Sequence, residues 1–187
     1  MLQQTQVSRV VIKYGEFLER FPTLHDVARA KPSRVMEAWE GLGYYARARN
    51  LYRLAREVTG NGEESGARLP ADPSALRALP GIGAYTAGAV ASFAYERRAA
   101  LVDTNVARVL KRAFAPNAQL KTAKGQRIVW GIAESMLPRT GRATWTHNQA
   151  LMELGALICT ARIARCEQCP VRAYCLSGAK PSGHHPP

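Results

Sequence analysis

LPGIGAYTAGAV (residues 79–90) reads as a tight turn running straight into a helix. Gly81 and Gly83 supply the left-handed or close-approach backbone such a turn needs. The Ala-rich run behind them is compatible with a helix. PSALRAL (73–79) supplies the preceding arm, so residues 76–94 form a helix-hairpin-helix. Outward from this hairpin, helical spacing dominates the chain. Residues 4–20 put Val7, Val10, Val11, Tyr14, Phe17 and Leu18 on one stripe, and FPT (21–23) stops the run. Thr23 reads as the N-cap of LHDVARA, and Ser33 as that of RVMEAWEGL. Gly41 and Gly43 punctuate the chain before a helix over 45–59, and GNGEESGARLPADP (60–73) is a loop. A further helix opens near 104, capped by Asp103 or Thr104, and two more cover 122–137 and 146–158.

No stretch sustains period-two alternation, and LVDT (101–104) is too short to build a sheet. The expected fold is all-α, a helical bundle with a small cysteine-rich module near its end. The expected division is 1–115, 116–176 and a disordered tail over 177–187.

Charge narrows the partners. The 187 residues carry 26 Lys+Arg against 14 Asp+Glu, a formal net charge of +12. Basic residues recur in clusters: Arg47-Arg49-Arg53-Arg56, Arg108-Lys111-Arg112 and Lys121-Lys124-Arg127. Such an excess predicts a polyanion partner, nucleic acid being the commonest. No apolar run is long enough to span a bilayer. The N-terminus has no basic-then-apolar export signal, which points to the cytoplasm.

All four cysteines fall in one short segment, Cys159, Cys166, Cys169 and Cys175, spaced C-x6-C-x2-C-x5-C. That density in an unexported chain reads as a metal or cluster site rather than a disulfide net. A zinc site usually has two C-x2-C knuckles, and here there is one. The asymmetry suits a [4Fe–4S] cubane, with one thiolate per iron; structural zinc is the alternative. Arg162, Arg165 and Arg172 lie between the cysteines.

Two further features bear on chemistry. N–H groups at the start of the helix after Gly83 are placed to bind a phosphate, or the turn is a plain helix hairpin. Asp103, in the apolar context AALVDTNV, is an N-cap by position. It is equally an anion able to stabilise an oxocarbenium-like sugar as a base departs. The two roles can coexist.

LPGIGAYTAGAV, VDTNVARVL and the cysteine segment together resemble the helix-hairpin-helix DNA glycosylases that carry an iron–sulfur cluster. MLQQTQV (1–7), GLGYYARARNL (41–51) and NQALMELGALIC (148–159) resemble, more narrowly, the adenine DNA glycosylases of the MutY type. The resemblance runs from residue 1 to about 176. It implies a monofunctional glycosylase of base excision repair, a monomer acting on duplex DNA, which removes adenine mispaired with 8-oxoguanine or guanine. It implies Asp103 as the catalytic carboxylate and Asn105 as its hydrogen-bonding partner. Tyr85 stands where bifunctional relatives carry a Schiff-base lysine, and a phenol forms no imine. Gln4 and Tyr44 match residues that wedge into the duplex, Leu2 lines the base pocket, and Gln149 contacts the flipped adenine, with which an amide pairs bidentately. Gly81 and Gly83 form the DNA-binding hairpin, and Cys159, Cys166, Cys169 and Cys175 hold the [4Fe–4S] cluster.

The chain departs from that pattern in three places. The family's motif continues upstream as Ser-Glu-Val before the Met matching Met1, and that glutamate is its general acid. Met1 is therefore expected to be internal to a longer protein. The second domain that reads 8-oxoguanine is also expected to be missing. Thr104 replaces a glycine common in the family. Two alternatives stay open: a thymine or uracil mismatch glycosylase of the same fold, and a catalytically silent mispair-binding protein.

Overall fold

The structure, a computed structural model, describes residues 1–2, 4–60 and 68–178. Residues 61–67 of the expected loop and 179–187 of the expected tail lie outside them. Nine α-helices follow one another among the described residues, and no strand occurs there. They are α1 (Val7–Arg20), α2 (Leu24–Arg29), α3 (Pro32–Ala38), α4 (Ala46–Val58), α5 (Pro73–Ala78), α6 (Ala84–Tyr95), α7 (Thr104–Phe114), α8 (Ala123–Ser135) and α9 (Gly141–Glu153). A π-helical turn, Leu154–Ile158, extends α9, and single 3₁₀ turns follow at Cys166–Gln168 and Arg172–Tyr174.

Side-chain caps set several starts. Thr23 forms a full capping box with Asp26, accepting from the Asp26 N–H while the Asp26 carboxylate accepts from the Thr23 N–H. Asp103, Thr122 and Thr140 cap α7, α8 and α9 through their side-chain oxygens. Three expected boundaries shift. Ser33 is not a cap: Lys31 holds that position and Pro32 opens α3, where a fixed φ and a missing N–H are harmless. α1 begins at Val7 rather than residue 4, because Gln4 has φ 56° and cannot join a right-handed helix. α9 begins at Gly141 rather than 146, because the Thr140 cap precedes a polar first turn in which the apolar spacing is not yet visible.

The chain forms two compact units, one of Met1–Pro70 with Ala75–Ile82, the other of Ala71–Ser74 with Gly83–Pro187. Residues 115 and 116 both lie within the second unit.

In the first unit the core gathers Val10, Phe17, Val27, Val35, Trp39 and Leu42. The Phe17 ring lies 5.1 Å from Phe21 and meets Trp39 edge-on at 6.0 Å. The expected α1 stripe splits: Val10 and Phe17 are buried, whereas Val7, Val11, Tyr14 and Leu18 are exposed. The second unit packs Leu101, Val106, Leu110 and Val129 at its centre. Asn148 is 2% exposed, and its amide donates to Ser92 Oγ at 2.9 Å and to the Ala99 carbonyl at 3.0 Å. That pair of bonds satisfies a buried amide and ties α9 to α6 and to the segment leading into Asp103.

Candidate active site and nucleic-acid interface

In the second unit, the N-terminus of α7 positions the carboxylate singled out by the sequence. Asp103 Oδ1 accepts from the Val106 N–H at 2.7 Å, and Oδ2 accepts from Asn105 Nδ2 at 3.3 Å. The cap reading of Asp103 therefore holds in the geometry. The same bonds fix the carboxylate's orientation, and the helix dipole favours an anion there. Asn105 is itself held: its Oδ1 accepts from Arg108 Nη2 at 2.8 Å. Arg108 also donates to the carbonyls of Gly155 (2.7 Å) and Cys159 (2.8 Å). A continuous chain of bonds thus runs from Asp103 to the first cysteine.

Gly155 makes this approach possible. A Cβ there would stand 2.8 Å from Asn105 Cβ, so only glycine lets the π-helical turn lie against α7. Tyr85, on the first turn of α6, is half-buried, and burial, with Asp103's charge, pushes its phenol above the ordinary range. It stays a neutral hydroxyl at physiological pH. Gln149, on α9, donates from Nε2 to Glu153 Oε1 at 2.8 Å, one turn away.

None of the four cysteines forms a disulfide. The segment that carries them is pinned to the end of α7 from both sides. Arg112 donates to Cys159 Sγ at 3.3 Å and to the Thr160 carbonyl at 2.8 Å. The Leu176 and Ser177 N–H groups donate to the carbonyls of Ala113 and Arg112 at 3.0 and 3.1 Å. Cys175 Sγ accepts from the Gly178 N–H at 3.3 Å. N–H donors thus reach the sulfurs of Cys159 and Cys175, the first and last of the four cysteines. Among the described residues, no three His, Cys, Asp or Glu converge closely enough to hold one metal ion.

In the first unit, Leu2 and Tyr44 are 60% and 61% exposed. Gln4 and Tyr44 line a cleft of about 480 Å³ with Thr5, Arg9, Leu42 and Tyr45. In the hairpin, Gly81 has φ 77°, and a Cβ would lie 2.6 Å from Asn50 Cβ, so this position demands glycine twice over. Gly83 differs. Its φ is −86° and nothing lies within 4 Å of a Cβ, so it serves as an open, side-chain-free N-cap of α6.

Residues 1–134 match the model of the HhH-GPD superfamily base excision DNA repair proteins. The chain belongs to that superfamily. It is 43% identical over 176 residues to the adenine DNA glycosylase of Homo sapiens, covering 94% of this chain and 31% of that protein. Identity to the adenine DNA glycosylase of Mycolicibacterium smegmatis is also 43%, over 171 residues, 91% of this chain and 56% of the relative. The chain therefore spans about a third to a half of the length of these relatives. A solved thermostable thymine-DNA glycosylase superposes with a TM-score of 0.81 at 30% identity, covering 95% of this chain and 79% of that one.

Within this HhH-GPD chain, the arginines are what sequence reasoning missed. Arg47, Arg108 and Arg112 all fall in the basic clusters whose charge predicts a polyanion partner. All three direct their guanidinium groups at carbonyl oxygens inside their own unit. The signal was present for one of them: Arg108 lies one helical turn beyond Asn105, on the same face.

Proposed function

We propose that the chain is the glycosylase portion of an adenine-specific DNA repair enzyme, releasing adenine from mispairs with guanine or 8-oxoguanine by hydrolysis of the N-glycosidic bond. The observation that carries this is the Asp103 carboxylate, oriented by Val106 and Asn105 at the head of α7. A fixed anion there stabilises the positive charge that develops on the sugar as the base leaves. Tyr85 keeps its proton, cannot form an imine, and so leaves the sugar–phosphate chain intact. Gln149 offers an amide to the Watson–Crick or Hoogsteen edge of a flipped adenine. Gln4 and Tyr44 replace stacking lost from the duplex, and Leu2 lines the base pocket. The α6 N–H groups behind Gly81 and Gly83 hold a backbone phosphate.

We assign Cys159, Cys166, Cys169 and Cys175 as ligands of a [4Fe–4S] cluster, with Arg112 and the Gly178 N–H supporting the first and last. A bound cluster stiffens this segment against DNA; no step of base release passes through it. The protein acts as a monomer on chromosomal DNA, in the cytoplasm. Purified under anaerobic conditions, it is expected to carry roughly four irons per chain. One zinc per chain, or no metal, would remove the cluster assignment.

The activity test is single-turnover base release from duplexes carrying A·8-oxoG, A·G, T·G or U·G, each read before and after alkali. Adenine release with strand breaks appearing only after alkali is the expected result. Release of thymine or uracil would transfer the chain to the specificity of the thymine-DNA glycosylase it superposes on. Mispair binding without any release would leave a recognition protein.

A further inference from the structure

Two residues of the first unit have backbone conformations that L side chains avoid. Gln4 has φ 56° and Tyr44 has φ 47°. Such conformations persist only where their surroundings over-determine them. The surroundings they share are made by Arg47. Its guanidinium donates to the Met1 carbonyl at 2.6 Å and to Thr5 Oγ1 at 2.8 Å. It also reaches across to the carbonyls of Leu42 (2.9 Å) and Gly43 (3.1 Å). Thr5 closes the circuit by donating to the same Leu42 carbonyl at 3.1 Å.

The cation is also packed against aromatic rings. Its carbon lies 5.4 Å from the Trp39 ring centre and 5.6 Å from that of Tyr44. Trp39 is a buried core residue, and its Nε1 donates to the Gly43 carbonyl at 3.2 Å. Thus one planar group bonds the segment before α1 and the turn before α4, and its cation packs against the core. A guanidinium can do this because it has five donors in a fixed fork and a flat face for stacking. Lysine offers a single point charge and cannot span these acceptors.

We propose that Arg47 is a positioning residue for duplex invasion: it fastens Met1 and Thr5 to the turn 41–45 and so presets Gln4 and Tyr44 in the form that enters the helix. Arg47 touches no reacting atom in this scheme. The proposal rests on the glycosylase reading above. A preset wedge spends little ordering entropy when it inserts, whereas a loosened one must be ordered at each encounter. The loss on weakening the clamp therefore falls on opening the mispair and leaves the sugar chemistry alone.

The experiment compares Arg47→Lys with wild type on two duplexes, in single turnover with enzyme in excess. One carries adenine opposite guanine. The other carries adenine opposite an abasic-site analogue, where no partner base has to be separated. Release from A·G is expected to fall by about tenfold or more, while release opposite the abasic analogue stays within about twofold, since opening a paired base costs a few kcal/mol that the second duplex does not demand. Tyr44→Ala is expected to show the same selective loss, and the double variant no more than either single one, as for residues acting as a unit. Equal losses on both duplexes would reduce Arg47 to a merely structural role, and an unchanged A·G rate would overturn the clamp outright. Should Arg47→Lys fail to fold, Thr5→Val weakens the same circuit and carries the same comparison. Wild-type protein releasing adenine from neither duplex would sink the glycosylase reading instead, a distinct outcome.

Discussion

Asp103→Asn is expected to lower single-turnover adenine release by roughly 10³-fold, the scale seen when one preorganised electrostatic group is removed from a site. Mispair binding is expected to stay within a few-fold of wild type. The substitution is chosen to separate chemistry from folding. Asparagine is as good an N-cap as aspartate, so the bond from the Val106 N–H survives. The bulk of the side chain is unchanged. What disappears is the negative charge beside the developing sugar cation. Chemical release and gel-shift binding, measured on the same duplex, give the answer. A rate within about tenfold of wild type would show that the carboxylate is only the cap of α7. Parallel loss of binding and rate would mean that α7 itself had been disturbed.

A large loss of stability is expected from a single methyl group at Gly88. A Cβ there would lie 1.9 Å from the Ala100 carbonyl oxygen and 3.0 Å from its carbon, both backbone atoms. Backbone cannot swing aside as a side chain can, so α6 and the segment 99–103 would have to separate. Overpacking of this kind costs about 1–3 kcal/mol or more, and Gly88→Ala is expected to show it as a lower denaturant midpoint. The segment that must move leads directly into Asp103. Base release is therefore expected to fall as well. Gly131 provides the control. It lies in α8 with nothing within 4 Å of a Cβ. Gly131→Ala is expected to stabilise by about 0.5–1 kcal/mol, because alanine restricts the unfolded chain and favours the helix. Equal effects at the two glycines would contradict the close packing of α6 on residue 100.

The helices, their caps and the turn are legible in the sequence, and for local reasons. The capping box at Thr23 and the Asp103 cap each depend on residues three apart. The hairpin glycine at 81 was legible as a turn residue, although the second reason for it, Asn50, is thirty-one positions away. The cysteines were legible because they are close in sequence. Gln4, Tyr44 and Leu2 were legible only through resemblance, since alternation and spacing alone would have assigned the tyrosines to a core they do not join.

The inward-turned arginines belong to the other category. A lone arginine in a basic cluster has no local feature that says whether it meets solvent or a carbonyl. That outcome depends on which distant backbone groups the fold leaves in need of a donor. For Arg108 these are the carbonyls of residues 155 and 159, and for Arg112 that of 160. For Arg47 they are the carbonyls of residues 1, 42 and 43. Helix periods and caps operate over three or four residues and can be read along the chain. The anchoring of Asn105 through Arg108, the seating of the cysteine segment and the preset wedge each join segments about forty to sixty residues apart, and only packing brings those together.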